Sequence, residues 1–318
     1  MTARKPIMYA NLHNHSTHSD GVYDPYEITK VAMDEGYGAM ALTDHDTVTG
    51  NADLEAACKG VGMQSIYGCE FMTKSEKLGG LGFHLTAFDF DAEMPEMKEY
   101  LRRCSVTMTE RTKACFKIGQ DEGLLTKEIT WQEVLDDNNG ISWICNDHVF
   151  RTMKKKGLAE DKDYPPFLEN IFFKYWKSVP DTYEKLDIEP LVALIRRAGG
   201  LVIVAHPYDR LEHMPYLTSI GIEGLEVWHP SVKKAEIPVA LRIARDNKLY
   251  ISGGPDHDGL CGGQYKFYDD YKSCPYYISE LSAGTTREFF DEIKQRRFLS
   301  GREELISEYA AYHDEFLN

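Results

Sequence analysis

Three histidines and an aspartate lie within residues 13–20, close to the start of the chain. They follow an apolar run at 7–12 that is typical of a β-strand. Alternate residues of a strand point to the same face, so His13 and His15 should project together while Asn14 points away. Two imidazoles side by side on rigid backbone can form half of a metal site. A pair of hydrogen-bonded structural histidines would give the same local pattern.

The pattern recurs after the next predicted strand, 39–43, which leads into Asp44, His45 and Asp46. Two strands that both end in histidine and aspartate clusters predict a polynuclear metal centre at the carboxyl end of a sheet or barrel. Asp44 and Asp46 are interpreted as groups that orient ligands or cap the loop. His18 is interpreted as structural, because the period of two favours Asp20 as the ligand.

Further candidates follow later strands. Glu70 ends the third strand, and its two oxygens could bridge two cations, although solvated glutamates are common at strand ends. His84 lies in an apolar strand, where a core histidine is the alternative. His206 stands where a buried strand meets a loop, and a glycine-rich loop carries Asp256 and Asp258. That loop could also be a simple turn.

The amino-acid composition limits the class of protein to which this chain can belong. The 318 residues are 42% hydrophobic, enough for a sizeable core, and no apolar run reaches transmembrane length. No apolar segment follows the basic residues of 1–6, so we expect no export signal and no membrane association. Seven cysteines without a CxxC pair favour free thiols in a reducing cytoplasm.

The net charge of −15 argues against binding of long nucleic acid, which needs clustered lysine and arginine. An acidic protein can still take anionic substrates where bound metals reverse the charge locally. Three divalent cations would outweigh four ligand carboxylates, so a positive site inside a negative protein is expected.

Alternating strands and helices predict an α/β fold. Seven strands are predicted at 7–15, 39–43, 64–70, 83–90, 201–205, 224–228 and 250–253, with helices between most of them. This rhythm favours parallel strands joined by right-handed crossovers. Functional residues at nearly every strand end favour a barrel. An open doubly wound sheet, which collects its site at one switch point, is the alternative.

Residues 92–186 break the rhythm and predict a mainly helical insertion that caps the site. The barrel would then comprise 1–91 and 187–318. A helical tail at 303–316 is expected to pack on its own barrel, and the oligomeric state stays open.

Taken in order, HxH…SDG, TDHD, a strand-end Glu, a later His, AHP and a GxDxxG loop resemble the PHP (polymerase and histidinol phosphatase) family of metal-dependent phosphoesterases. The match runs from about residue 7 to 300, apart from the insertion. The resemblance implies a distorted seven-stranded (β/α) barrel of the TIM type.

The resemblance also implies three metal sites. The first would be held by His13, His15, Glu70 and Asp256. The second would be held by Glu70 as a bridge with His84 and His206, and the third by Asp20, His45 and residue 258. Many members have histidine where this chain has Asp258, so either Asp258 replaces it or His257 reaches the site by a shifted loop. A carboxylate there favours manganese or iron over zinc.

The expected chemistry is attack on phosphorus by a hydroxide activated by two or three divalent metals. His45, Asp258 and His229 are candidates to protonate the leaving group, and His229 could equally be a loop histidine. His148 and Arg151, in a segment similar to the family's RPHIA-like pattern, are the candidate phosphate contacts. The alternative for Arg151 is a solvated basic helix face shared with Lys154, Lys155 and Lys156.

The sequence therefore predicts a hydrolase of a small phosphorylated metabolite or nucleotide: a phosphomonoester, a nucleoside bisphosphate or a cyclic phosphodiester. The insertion favours small substrates because it narrows access. Two alternatives remain. A metal-activated hydroxide could attack an amide or acetyl carbonyl, or a barrel without turnover could sense a phosphorylated ligand.

Overall fold

Eight β-strands form one sheet in the computed structural model, which describes residues 3–207, 210–256 and 283–315. The strands are β1 Met8–Asn11, β2 Ala39–Leu42, β3 Gln64–Ser75, β4 Leu81–Phe88, β5 Leu201–Val204, β6 Gly224–Trp228, β7 Tyr250–Gly253 and β8 Thr285–Thr286. Their order in the sheet is β7-β6-β5-β4-β3-β2-β1-β8.

The short strand β8 nearly closes this sheet into a barrel. It pairs antiparallel with β1. The adjacent Gly284 bridges to Trp228 of β6, and the Thr285 hydroxyl donates to the carbonyl of Gly253 at 3.3 Å. The predicted distorted barrel is therefore confirmed over the open-sheet alternative. The sequence predicted seven strands, one fewer than the structure has, because the two residues of β8 are too few to give a periodic signal.

One strand runs against the expected direction. β4 is antiparallel to both β3 and β5, whereas the sequence rhythm favoured parallel strands. Only residues 76–80 connect β3 to β4, and a parallel pair needs a crossover of a dozen residues or more. The two strands therefore form a hairpin, and β3 extends to Ser75 where the sequence predicted an end at 70.

Helices cover the outside of the barrel strands. They are α1 Pro25–Glu35, α2 Asn51–Val61, α8 Ile188–Arg197, α9 Met214–Ser219, α10 Ile237–Asp246, α11 Arg287–Gln295 and α12 Arg302–Glu315. Alternate residues of β2 and β5 face opposite cores. Ala39 and Leu201 pack in the cluster that includes Phe290 of α11, whereas Met40 and Val202 belong to the largest core cluster. The sequence prediction missed the short helix α9.

A second group of helices lies between β4 and β5. These are α3 Pro95–Asp121, α4 Trp131–Asp137, α5 Asn146–Lys155, α6 Tyr164–Phe167 and α7 Lys174–Trp176, with a π-helical turn, Leu168–Phe173, between the last two. They enclose a buried cluster of their own that includes Phe116, Val149 and Phe167. The boundaries 92–186 for a capping subdomain stay a prediction.

Within the described ranges, no helix is both long enough and apolar enough to span a membrane. The five cysteines that fall in those ranges are buried thiols.

Gly254 follows β7 and packs against His13, two residues after the end of β1. A Cβ atom on Gly254 would lie 2.6 Å from the Cβ of His13. Gly254→Ala should therefore lower the free energy of unfolding by about 1–3 kcal/mol, because overpacking forces the two segments apart. Urea denaturation of the metal-free protein, followed by circular dichroism, measures this.

The matched control is Gly60→Ala in α2, where a Cβ would meet nothing within 4 Å. It should leave the stability unchanged or raise it by up to about 1 kcal/mol. Equal unfolding free energies for the two variants would contradict the tight approach of residue 254 to β1.

Candidate metal centre

Side chains from seven strands or strand ends converge at one end of the barrel. His13 and His15 follow β1, His45 follows β2, and Glu70 lies in β3. Five sets of three residues each bring one ligand atom per residue to within 4.8 Å of the other two. The residues in these sets are His13, His15, Asp20, His45, Glu70, His84, His206, Glu226, His229 and Asp256. All eight predicted metal-ligating residues that fall in the described ranges are in this set. Residue 258 and His257 lie outside the described residues.

Glu70 stands at the middle of the cluster. Its Oε2 lies 3.3 Å from Nε2 of both His13 and His15, and 3.0 Å from Nδ1 of His45. Its Oε1 lies 3.0 Å from Nδ1 of His84 and 3.1 Å from Nε2 of His206. The two oxygens of one buried carboxylate thus face different sets of histidines.

Several buried atoms at this point have no hydrogen-bond partner among the described residues. They are Nε2 of His13, Nε2 of His15, Nδ1 of His45 and Oε2 of Glu70. Buried polar atoms in native proteins are nearly always paired, so a cluster of such atoms needs an explanation. Imidazole nitrogens and a carboxylate oxygen are ligands for divalent metals. These residues therefore fit a bound metal.

The charges of the cluster depend on one another. Burial alone would raise the pKa of Glu70, but the neighbouring imidazoles, His13 first, hold that pKa well below its usual value. Burial alone would lower the pKa of His13, yet Glu226, Glu70 and Asp256 raise it well above its usual value. Without a metal, the carboxylates thus favour the protonated form of His13. A divalent cation would supply the same positive charge.

His84 reaches the centre because β4 runs antiparallel. The amino-terminal half of β4 lies beside the carboxyl half of β3, with Thr86 opposite Glu70 and His84 opposite Met72. The core-histidine alternative fails, since Nδ1 of His84 contacts Glu70 and about a third of the side chain is exposed.

Glu226 lies in the cluster, although the sequence analysis did not name it. It is fully buried in β6. Its Oε1 accepts from Nδ1 of His13 at 2.8 Å, and its Oε2 accepts from the backbone N–H of His206 at 2.7 Å. The His13 proton is thereby held on Nδ1, which leaves Nε2 with a lone pair for a metal. A lone glutamate inside an apolar strand was the available signal.

Asp44 organises the loop between His15 and Asp20. It is fully buried and accepts from the backbone N–H of Ser16 at 2.7 Å, the Ser16 hydroxyl at 2.8 Å and the Ser19 hydroxyl at 2.6 Å. None of these three hydrogen bonds involves a histidine of the cluster, which fits a group that orients ligands. His18 instead bonds to the Thr49 hydroxyl at 2.8 Å.

Asp46 connects the centre to the chain segment that returns from the inserted helices. It is fully buried, adopts a left-handed φ of 49°, and accepts from the backbone N–H of Met72 at 3.2 Å. Its other oxygen pairs with the Lys185 ammonium. Because Asp46 directly follows His45, this ion pair helps to fix the His45 backbone. No local pattern in the sequence marks Lys185.

The remaining candidates lie at different depths. Asp20 approaches Nδ1 of His15 at 3.6 Å and Nε2 of His45 at 3.8 Å, on the more open side. Asp256 lies 3.0 Å from Nε2 of His15. His229 is buried behind Asp256, with Nε2 at 3.6 Å from that carboxylate, and its Nδ1 accepts from the backbone N–H of Ser231.

His148 and Arg151 of α5 both bond to the loop that precedes and contains Asp20. His148 accepts from the Cys145 amide at 3.0 Å and donates to the Thr17 carbonyl at 3.0 Å. Arg151 donates to the carbonyls of Gly21 and Thr17. Both side chains therefore tie α5 to this loop, and their contact with a substrate phosphate stays a prediction.

Comparisons with known proteins agree with this arrangement. Residues 11–142 match the family model of the PHP domain. A 5'-3' exoribonuclease from Haemophilus influenzae is 28% identical over 261 residues, which cover 79% of this chain and 90% of that protein. A phosphoribosyl 1,2-cyclic phosphate 1,2-diphosphodiesterase from Eggerthella lenta is 23% identical over 263 residues, which cover 80% of this chain and 96% of that protein.

A solved structure has the same fold. A Bifidobacterium adolescentis protein described as a metal-dependent phosphoesterase superposes with a TM-score of 0.71 at 22% identity, over 93% of this chain and 99% of that one. At this identity the likeness establishes the fold alone.

Glu226→Gln should weaken metal binding by about 10- to 100-fold. Glutamine offers one oxygen and one NH₂ group, so either the His13 ring or the His206 amide would face a donor. Competition with a chromogenic chelator for Mn²⁺ measures the affinity. Glu223→Gln is the control, because Glu223 lies just before β6 and pairs with Arg196 on the surface. Equal affinities of the two variants would rule out the proposed orienting function of Glu226.

Lys185→Met should lower the free energy of unfolding by about 1–3 kcal/mol, because it leaves the buried Asp46 carboxylate without its cation. Adding Asp46→Asn should recover most of the loss, since asparagine is neutral and tolerates a left-handed φ. Chemical denaturation of the single and double variants measures this. Lys77→Met, on an exposed pair with Glu189, is the control. A double variant no more stable than Lys185→Met would contradict the coupling.

Proposed function

We propose that the chain is a metal-dependent phosphoesterase that hydrolyses a small phosphorylated compound, since residues 11–142 match the family model of the PHP domain. The arrangement around Glu70 carries this proposal. One oxygen faces His13 and His15, and the other faces His84 and His206. Such a carboxylate suits a pair of cations that share a bridging ligand, the arrangement of two-metal phosphatases and nucleases.

Three groups of residues would hold the metals. His13, His15 and Asp256 would act with one oxygen of Glu70, and His84 and His206 with the other. Asp20 and His45 would form the third group with residue 258, which lies outside the described residues. The three carboxylates among the described ligands favour manganese or iron over zinc.

When bound, divalent cations supply a water molecule of lowered pKa and positive charge for the phosphate oxygens. Other buried side chains of the protein orient the residues that would bind these cations. Glu226 holds the His13 ring and the His206 backbone, and Asp44 fixes the loop that carries Asp20. The reacting groups are therefore held in place before the substrate arrives.

The leaving alcohol also needs a proton. His229 is buried behind Asp256, whereas His45 and Asp20 line an open cleft beside the centre. If only the two groups around Glu70 hold metals, we favour His45 over His229 as the proton donor; Asp258 lies outside the described residues. A cation on Nε2 of His45 would exclude this function, so the metal stoichiometry of the active protein tests it.

The names of the relatives support phosphate esters of ribose or RNA as the substrates to test. The net charge of −15 still disfavours a long nucleic-acid track on the surface. An RNA substrate would therefore enter by its end, as a single nucleotide unit at the metals.

Manganese-loaded protein should release phosphate or a phosphomonoester from at least one member of a panel of esters. The panel comprises a nucleoside 5'-phosphate, a 3',5'-bisphosphate, a cyclic phosphate, a sugar phosphate and a short RNA with a 5'-phosphate. His206→Ala should lower the rate at least about 100-fold, because it removes a ligand of the bridged pair. His213→Ala, a histidine outside the cluster, is the control.

Absence of turnover on every ester by fully metallated protein would overturn the proposal. Hydrolysis of N-acetylated compounds would then indicate an amidohydrolase. Tight binding of a phosphorylated compound without turnover would indicate a sensor.

A further inference from the structure

A cleft of about 330 Å³ adjoins the metal centre on the side of the inserted helices. Asp20 and His45 line one side of it. The other side carries five aromatic rings, those of Trp143, Tyr164, Phe172, Phe173 and Trp176. We call this space the aromatic cleft. Its volume lies at the small end of the range for ligand pockets.

We propose that the aromatic cleft binds the planar base of a nucleotide whose phosphate lies at the metal centre. This inference rests on the proposed function, because it assumes that the phosphate ester is held at the metal centre. The uncharged part of the substrate would then lie in the adjoining aromatic cleft. It narrows the proposed substrates to nucleotides and names the residues that would select the base.

The rings of the aromatic cleft are of the kind that stack on bases. Phe173 is 68% exposed, whereas its neighbour Phe172 is buried. The Trp143 and His45 ring centroids are 6.0 Å apart, so the aromatic wall begins directly beside a proposed metal-site residue. Purine and pyrimidine faces stack on aromatic side chains whatever their hydrogen-bonding edge.

The rings are held in place before any ligand binds. The Arg111 guanidinium lies 3.9 Å from the centroid of the Trp176 ring and donates to the Trp176 carbonyl. The Tyr164 hydroxyl donates to the buried Asp147. Phe172 and Phe173 end the π-helical turn, a local geometry often found at functional sites. A preformed wall reduces the entropy cost of stacking.

Charge excludes a second phosphate as the occupant. Among the described residues that line the aromatic cleft, none is lysine or arginine, and two are aspartates. A larger cavity next to it, of about 550 Å³, has three cations in its lining. Each of these is already paired: Lys74 with Glu184, Arg111 with Asp181, and Lys185 with Asp46. The uncharged base is therefore the part of a nucleotide that suits the aromatic cleft.

Adenosine 5'-monophosphate and ribose 5-phosphate carry the same ester and differ in the base. The manganese-loaded protein should hydrolyse the nucleotide with a kcat/KM at least about tenfold higher. Phe173→Ala should remove most of this preference by lowering kcat/KM for the nucleotide. Because Phe173 is mostly exposed, the substitution should not impair folding. Tyr26→Ala in α1, a ring 54% exposed outside the cleft, is the control.

A binding measurement separates this inference from the proposed function. With metals chelated, adenosine should change the fluorescence of Trp143 and Trp176, and Phe173→Ala should weaken its binding about tenfold. Ribose 5-phosphate at the same concentration should cause no such change. Adenosine binding without turnover of either ester would retain the cleft and overturn the proposed function. Equal kcat/KM values for both esters, unaffected by Phe173→Ala, would overturn the cleft and retain the function.

Discussion

The buried Glu70 carboxylate is the group on which the rest of the centre depends. It is almost fully removed from solvent and faces five imidazole rings. Burial of a carboxylate is costly unless positive charge and hydrogen-bond donors compensate it. The protein can meet this requirement with protons on its histidines or with cations. Strands on both sides of β3 must therefore deliver histidines to the same point, and the barrel provides that geometry.

The candidate ligands are supported by a layer of buried carboxylates. Glu226 sets the proton position on His13, Asp44 holds the loop before Asp20, and Asp46 anchors the residue after His45. Each one bonds to backbone N–H groups as well as to a side chain, so a change in any of them would move a ligand. Since such partners set both the orientation and the basicity of a ligand, they would influence bound metals without touching them.

The parts of the site that obey strand-end logic could be predicted from the sequence. His13 and His15 alternate after a strand, and Glu70 and His206 follow or end apolar runs. His84 was harder to assign, because its contribution depends on the antiparallel direction of β4. Glu226 was missed because a single residue inside a short apolar strand gives no periodic signal. Lys185 has its partner 139 positions away at Asp46, a separation that no local pattern encodes.

The barrel and the helices between β4 and β5 would make different contributions to the binding of an anionic substrate by this acidic protein. Its net charge of −15 repels phosphate, so under the proposed function cations bound at Glu70 would supply the local attraction. The inserted helices have a separate buried cluster and present rings, not cations, to the aromatic cleft. Their residues can therefore change substrate preference without altering the barrel that holds the histidines. The two parts are in broad contact, because Met97, Tyr100 and Cys104 of α3 pack in the largest core cluster with barrel residues. Hydrogen bonds and ion pairs add to this contact, among them Lys185 with Asp46 and His148 with the Thr17 carbonyl. A rearrangement of the helices between β4 and β5 would therefore reach the loops that follow β1 and β2 both through these bonds and through the shared core cluster.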